Sequence, residues 1–387
     1  MKYKLYTLIT LVFLSCSKNV DTDGQIDQIE ETFQDLLNEA VYGSFEEVPG
    51  VSMTVLAPDL GVIWSGVSGF DSKERADSLK VNQPFRIASV TKTFVAAAIL
   101  RLHEIGKLSL DDPIGKYISN EHKSLLQKDG YQIDEITLLQ ILNHTNGLYD
   151  YAVGGRTYLE TIVNDPKRVW TRTDQLRLAM ETGNPVGKPG EKYVYNDTGY
   201  ILAGETIENL VDSTLAYGLR SLLDFKKLGL NSTWLESIEP HLYDSVKKVR
   251  RYAGKYDMTA ANPSIDLYGG GGLVSTTEDL ANFIHALFSD QVFENQETMS
   301  LMLQKASYAT SYDPLADDRY EDYRLGLWEF EIYGVKAYMH DGFWGTAFIH
   351  VPEYNCSIAV NYTYGYGDRL MKKALLAVKN IHDNMQN

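Results

Sequence analysis

Phe94 to Leu100 reads FVAAAIL, seven consecutive apolar residues without a charge. A helix that is apolar all round is buried rather than amphipathic, so the rest of the fold has to cover this stretch. Gly106 supplies its C-terminal stop. Just ahead of it stands Ser89-Val90-Thr91-Lys92. Serine and lysine three residues apart on a helix share one face. An amine at the mouth of a buried helix is partly desolvated, which favours its neutral, proton-accepting form. That is the partner a serine hydroxyl needs to become a nucleophile. A surface serine and lysine opening an ordinary core helix fit the same four residues, so the motif needs partners.

The chain has 387 residues, enough for one large catalytic domain or two ordinary ones. Two strand-like runs, VSMTVLA and GVIWSGVSGF, lie between residues 50 and 70 and are joined around Pro58-Asp59. Period-two alternation returns near the end, in Trp328 to Ile332 and Val335 to Met339, and Thr346 to Val351 and Cys356 to Tyr362 continue as strands. Helical spacing covers 29 to 41, through Ile29, Phe33, Leu36 and Leu37. A final helix from Asp368 places Leu370, Ala374, Val378 and Ile381 on one stripe. Residues 107 to about 260 read as helices and long loops. This pattern predicts an α/β fold of the α+β type, with a mainly antiparallel sheet assembled from both ends and flanked by helices. A helical lobe over about 107–260 is inserted, and the cleft between lobes is the default place for a small-molecule site.

Residues 1–15 read as an export signal, with Lys2 and Lys4 ahead of an apolar stretch, Leu5 to Leu14, that is too short to span a bilayer. Ser15-Cys16 then resembles a bacterial lipoprotein signal, so Cys16 is expected to carry lipid. Residues 16–28 would be a lipidated start and polar tether, and 29–385 the catalytic domain. The expected location is the bacterial cell envelope, membrane-anchored through the N-terminal lipid and facing the periplasm or the surface. The only other cysteine is Cys356, in an apolar run; with Cys16 lipidated, no intramolecular disulfide forms. Net charge is −16, from 52 acidic and 36 basic residues, without a basic stripe, which argues against nucleic acid as a partner.

Four further clusters stand out. Residues 189 to 200 (PGEKYVYNDTGY) form a turn followed by a helix from about Tyr200. His340-Asp341-Gly342-Phe343-Trp344-Gly345 lies between strand-like runs, where Asp-Gly is also a hairpin signal. Leu142 to Leu148 reads LNHTNGL. Gly269 to Gly272 precedes Ser275 and Glu278, which read as a capping box. No G-x-S-x-G elbow, zinc-ligand spacing or phosphate loop occurs, so neither metal nor nucleotide cofactor is expected.

Together these motifs resemble the serine β-lactamase and penicillin-binding superfamily. They are most similar to the branch with class C β-lactamases, DD-carboxypeptidases, D-aminopeptidases and related esterases. That branch carries S-x-x-K, Y-x-N and K-T-G or H-x-G, here Ser89 to Lys92, Tyr195 to Asp197 and His340 to Gly342, over roughly residues 30 to 380. The resemblance implies the β-lactamase/transpeptidase-like fold and assigns roles. Ser89 would form an acyl-enzyme, with Lys92 as its base or hydrogen-bond partner, and Tyr195 would pass a proton to the leaving group. The backbone N–H groups of Ser89 and Phe343 would hold the oxyanion. His340 would anchor the leaving side or a substrate carboxylate, and Gly342 would leave room for the substrate backbone.

Asp197 stands where that branch has asparagine, and an ionised carboxylate cannot donate to a substrate carbonyl. His340 in place of lysine resembles the peptidase and esterase members. The expected function is therefore hydrolysis of a D-amino-acid peptide or small ester. The alternatives are a class C-like β-lactamase and a catalytically weak lipoprotein that binds penicillin or wall fragments.

Overall fold

The alternation at the two ends of the chain builds a single seven-stranded sheet. The structure is a computed structural model that describes residues 22–43, 48–152, 156–239, 247–307, 310–311, 322–365, 367 and 369–386. Residues 1–15, expected to be an export signal, and Cys16 lie outside the described residues. Helix α1 (Thr22–Tyr42) precedes the hairpin β1 (Gly50–Ala57) and β2 (Val62–Gly69). Strand β3 (Phe85–Arg86) leads through a 3-10 turn, Ala88–Val90, into α2 (Thr91–Glu104). The helical lobe follows with α3 (Asn120–Lys128), α4 (Leu138–Leu142), α5 (Arg156–Asn164) and α6 (Arg172–Thr182). Strand β4 (Lys192–Tyr193) then enters α7 (Asp197–Val211) and α8 (Leu215–Leu222). Short strands β5 (Trp234–Leu235), β6 (Tyr252–Ala253), β7 (Tyr256–Asp257) and β8 (Leu273–Ser275) return the chain to α9 (Thr277–Phe288) and α10 (Gln296–Met302). Strands β9 (Thr310–Ser311), β10 (Asp322–Tyr323), β11 (Trp328–Ile332), β12 (Val335–Gly342), β13 (Thr346–Val351) and β14 (Cys356–Tyr362) end at α11 (Arg369–Gln386).

The sheet order is β10-β11-β12-β13-β14-β1-β2, antiparallel throughout. The expected closure by the two chain ends is the β1–β14 pair, in register from Val51 opposite Tyr362 to Leu56 opposite Ser357. Successive side chains point to opposite faces, and both faces are covered. Val51, Met53 and Val55 of β1 join Ile358 and Val360 of β14 against Phe33 and Leu37 of α1 and Leu370 and Val378 of α11. On the opposite face α9 lies across β1, β13 and β14, with Thr54 donating to Thr277 at 3.0 Å. The FVAAAIL stretch is wholly buried beyond α9, where Phe94 stacks on Phe283 with ring centroids 3.6 Å apart.

Three local readings shift. Helix α1 starts at Thr22 rather than near Ile29, because polar residues extend a helix whose apolar stripe begins only at its second turn. The cap of α9 is Thr276, which accepts from the Asp279 N–H at 3.2 Å. Ser275 instead completes β8, where its hydroxyl is bonded to that of Thr233. Helix α7 opens at Asp197 rather than Tyr200, which alters the surroundings of Tyr195.

Candidate active site

Ser89 sits in the 3-10 turn that feeds α2, a turn fixed from behind by β8. The Ile87 N–H donates to the Leu273 carbonyl at 3.0 Å, and the Leu273 N–H donates to Thr91 Oγ1 at 3.3 Å. Ala88, immediately before the serine, has φ +45, a left-handed conformation that disfavours a Cβ. One helical turn brings Lys92 under Ser89, as the spacing predicts, with Nζ donating to Ser89 Oγ at 2.9 Å. The amine has two more partners, the Gly270 carbonyl at 2.8 Å and an ion pair with Asp197 Oδ1. Lys92 is wholly buried.

Tyr195 stands just before α7. Asn196 is the N-cap of that helix, accepting from the Gly199 N–H at 2.8 Å, while its Nδ2 donates to Val194 O at 2.8 Å and Asn146 Oδ1 at 3.2 Å. Its amide is committed to scaffolding, and Asp197 in the first turn reaches the lysine. Tyr195 stacks on Trp328 of β11 (centroids 5.7 Å apart, 11°), with the Lys92 amine 4.9 Å from its ring centroid. Burial first, then the Asp197 charge, raises the Tyr195 phenol well above its ordinary value, while a hydrogen bond with Ser89 pulls the other way. The resting phenol is neutral.

The third motif arrives on the end of β12. Gly342 packs so closely on the serine turn that a Cβ there would stand 2.2 Å from the Ile87 carbonyl oxygen. The space its missing side chain frees is therefore filled by the protein's own backbone, not left open for substrate as the sequence suggests. The hairpin turn centres on Phe343-Trp344, two residues past the Asp-Gly pair, with the Gly345 N–H donating to Gly342 O at 3.0 Å. The Phe343 side chain is exposed. His340 is wholly buried, and burial and the nearby Lys92 lower its pKa to about 3. Its Nδ1–H therefore donates to the Asp341 carbonyl at 2.7 Å, and Nε2 accepts from the Tyr323 hydroxyl at 3.1 Å. In this placement the ring carries no charge to offer a substrate carboxylate.

Sequence reading missed two carboxyls beside this cluster. Asp150 Oδ1 accepts from the Asp197 N–H at 3.1 Å, and Asp266 Oδ2 accepts from Trp344 Nε1 at 3.1 Å. Burial and the Asp197 charge push each of them up to about 7. The glycine run that precedes α9 has its explanation here. A Cβ on Gly271 would meet Asp266 Oδ1 at 2.2 Å, and one on Gly270 would crowd Asp197. Neither acid has a sequence signal, since each is a single aspartate outside any motif, Asp150 in a loop and Asp266 at the end of a 3-10 turn. Among the described residues no group of His, Cys, Asp and Glu could hold a metal ion, and no helix is long and apolar enough to cross a membrane.

Ser89, Lys92, Tyr195 and Asp197 thus meet at one point, with the His340–Phe343 segment alongside. A nucleophile, an amine and a neutral phenol in mutual contact are equipped for acyl transfer. Comparison with known proteins gives the same direction. The Beta-lactamase family model matches residues 27–381. Penicillin-binding protein 4* of Bacillus subtilis (strain 168) is 27% identical over 289 residues, 70% of this chain and 58% of the relative. The chain thus spans little more than half the length of that relative. D-amino acid amidase from Ochrobactrum anthropi SV3, complexed with D-phenylalanine, superposes with a TM-score of 0.76 at 22% identity, covering 91% of this chain and 99% of the other. The D-stereospecific amidohydrolase from Streptomyces sp. gives 0.68 at 24% identity, over 86% and 94%. At these identities the two structures speak for the fold.

Proposed function

Since the chain belongs to the beta-lactamase family, we propose that it is a serine hydrolase acting through an acyl-enzyme on a D-amino-acid peptide or amide, or on a small ester. The observation that carries this reading is the 2.9 Å contact between Ser89 Oγ and Lys92 Nζ, with the Tyr195 phenol beside it. In this reading Ser89 Oγ attacks the substrate carbonyl and its proton passes to Lys92 as the amine cedes one of its own to its ion-pair partner Asp197, because an amine accepts only in its neutral form. The backbone N–H groups of Ser89 and Phe343 hold the oxyanion. Losing one such donor typically costs ~10²–10³ in rate. Tyr195 hands a proton to the leaving group and regains one from Lys92; water then attacks the acyl carbon, and as the Ser89 ester bond breaks one water proton returns to Ser89 Oγ while the acid leaves.

The Asp197–Lys92 ion pair weighs against efficient lactam turnover, because the position that would donate to an amide carbonyl accepts instead. The test is hydrolysis of p-nitrophenyl butyrate, D-alanine p-nitroanilide and a chromogenic cephalosporin by wild type and Ser89→Ala. Loss of ester or anilide hydrolysis in the variant, with the cephalosporin spared by both, is the expected result. Equal rates in the two proteins across all three substrates would sink the reading. We place the enzyme in the bacterial cell envelope, anchored by lipid on Cys16, on the strength of the N-terminal sequence. Labelled palmitate should enter the full chain and not its Cys16→Ser variant.

A further inference from the structure

We propose that His144 is a positioning residue for Tyr195, gripping the chain on both sides of that tyrosine and bearing on its ring. The Val194 N–H donates to the His144 carbonyl at 2.9 Å, and the Asn196 N–H donates to His144 Nδ1 at 3.2 Å. One residue therefore binds the backbone immediately before and immediately after Tyr195. Its imidazole lies against the Tyr195 ring, centroids 4.3 Å apart and planes tilted by 38°. Tyr323 and Tyr200 enclose it further, at 4.5 and 5.1 Å.

This arrangement has local costs. His144 sits at φ +59, where a residue with a Cβ is disfavoured. The left-handed turn after α4 is what aims both its carbonyl and its side chain at residues 194–196. Nδ1 accepts, so the ring proton is on Nε2, a buried nitrogen with no hydrogen-bond partner among the described residues. Leaving a buried donor unpaired is unfavourable, so Nε2 does not account for the histidine, whereas the Nδ1 acceptor does. The rest of the loop supports the same task. The Gly190 N–H donates to the Thr145 carbonyl at 2.7 Å, and Asn146 Oδ1 receives Asn196 Nδ2 at 3.2 Å. The LNHTNGL segment is a splint for the connection between β4 and α7 that carries the phenol.

Asparagine separates positioning from bulk. Its Oδ1 occupies the place of Nδ1 and it tolerates a left-handed backbone, whereas leucine keeps the volume without the acceptor. With an ester turned over by wild type, we expect His144→Leu to lower kcat about 100-fold, the scale of a 1 Å misplacement, with KM within about twofold. His144→Asn should return to within a few-fold of wild type. Equal loss in both variants, no loss in His144→Leu, or a loss carried by KM alone would overturn the proposal. If His144→Leu does not fold, His144→Gln replaces it. Its amide lies one bond farther out, so a kcat equal to that of His144→Asn counts against the clamp and a drop of tenfold or more supports it. The kinetic arm rests on Ser89 being the nucleophile, which Ser89→Ala tests separately. Hydrogen exchange of the Asn196 amide reads the clamp without catalysis: retained protection in His144→Asn and lost protection in His144→Leu or His144→Gln support it, and any other pattern overturns it.

Discussion

Asp266 lies against Gly271 and Trp344, and burial, with the Asp197 carboxylate nearby, pushes its carboxyl from the ordinary 3.8 up to about 7. Between those values the folded protein holds a proton that the unfolded chain has released. Stability contributed by this group is therefore complete below about pH 4, falls as pH rises toward 7, and then levels. Asp266→Asn keeps an oxygen for Trp344 and removes the titration. Urea midpoints from pH 4 to 8 should fall less with pH in the variant than in wild type; parallel curves would show that Asp266 does not titrate in this window. Asp197 yields a second expectation at the same scale. Asp197→Asn replaces an acceptor by a donor, so the ratio of anilide to ester hydrolysis should rise about tenfold, the worth of one hydrogen bond. An unchanged ratio would place the acyl amide elsewhere. Ser89, Lys92 and Tyr195 were legible in the sequence because one helical turn fixes the first pair and a three-residue motif marks the tyrosine. Asp150 and Asp266 were not, because only the tertiary packing brings two isolated aspartates to Asp197.

Two elements meet at the serine, and their contact leaves no slack. The end of β12 packs on the turn before α2 through Gly342, whose absent Cβ gives way to the Ile87 carbonyl. Gly342→Ala must push β12 and the Phe343 turn away from Ser89. Overpacking of this kind costs about 1–3 kcal/mol, and misplacing the Phe343 N–H, the proposed oxyanion donor, should lower kcat by ~10². Denaturation and ester kinetics measure the two effects. A variant with wild-type rates would mean that the turn does not touch the chemistry. Strands β1, β2 and β11 to β14 were readable from the sequence, down to the β1–β2 corner at Pro58; the two- and three-residue strands β3 to β10 were too short to leave a periodic signal. The start of α7 was hidden because its cap, Asn196, sits inside a tyrosine-rich loop and points inward to Asn146, so the helix signal in the sequence begins only at the apolar run after Gly199.

At the scale of the molecule, one sheet divides two cores and belongs to both. Phe33 of α1 lies in the core shared with α11, and Phe94 of α2 lies in the core on the site's side. Strand β1 contributes Val51, Met53 and Val55 to the first and Leu56 to the second. Loss of either core therefore strips a face from the same strands, and the site should not unfold apart from the sheet. Phe33→Ala and Phe94→Ala each remove a fully buried ring, costing about 3–5 kcal/mol, and effects at separated sites add. Together they approach the roughly 5–15 kcal/mol that holds a typical domain folded. Each single variant should thus give one urea transition in which ellipticity and ester hydrolysis vanish together, at a lower midpoint than wild type. The double variant should have little folded population even without urea. If activity in Phe94→Ala disappears well before ellipticity, the helical lobe and its serine unfold as a separate unit. In that case the sheet closed by β1 and β14 stands without the site it carries.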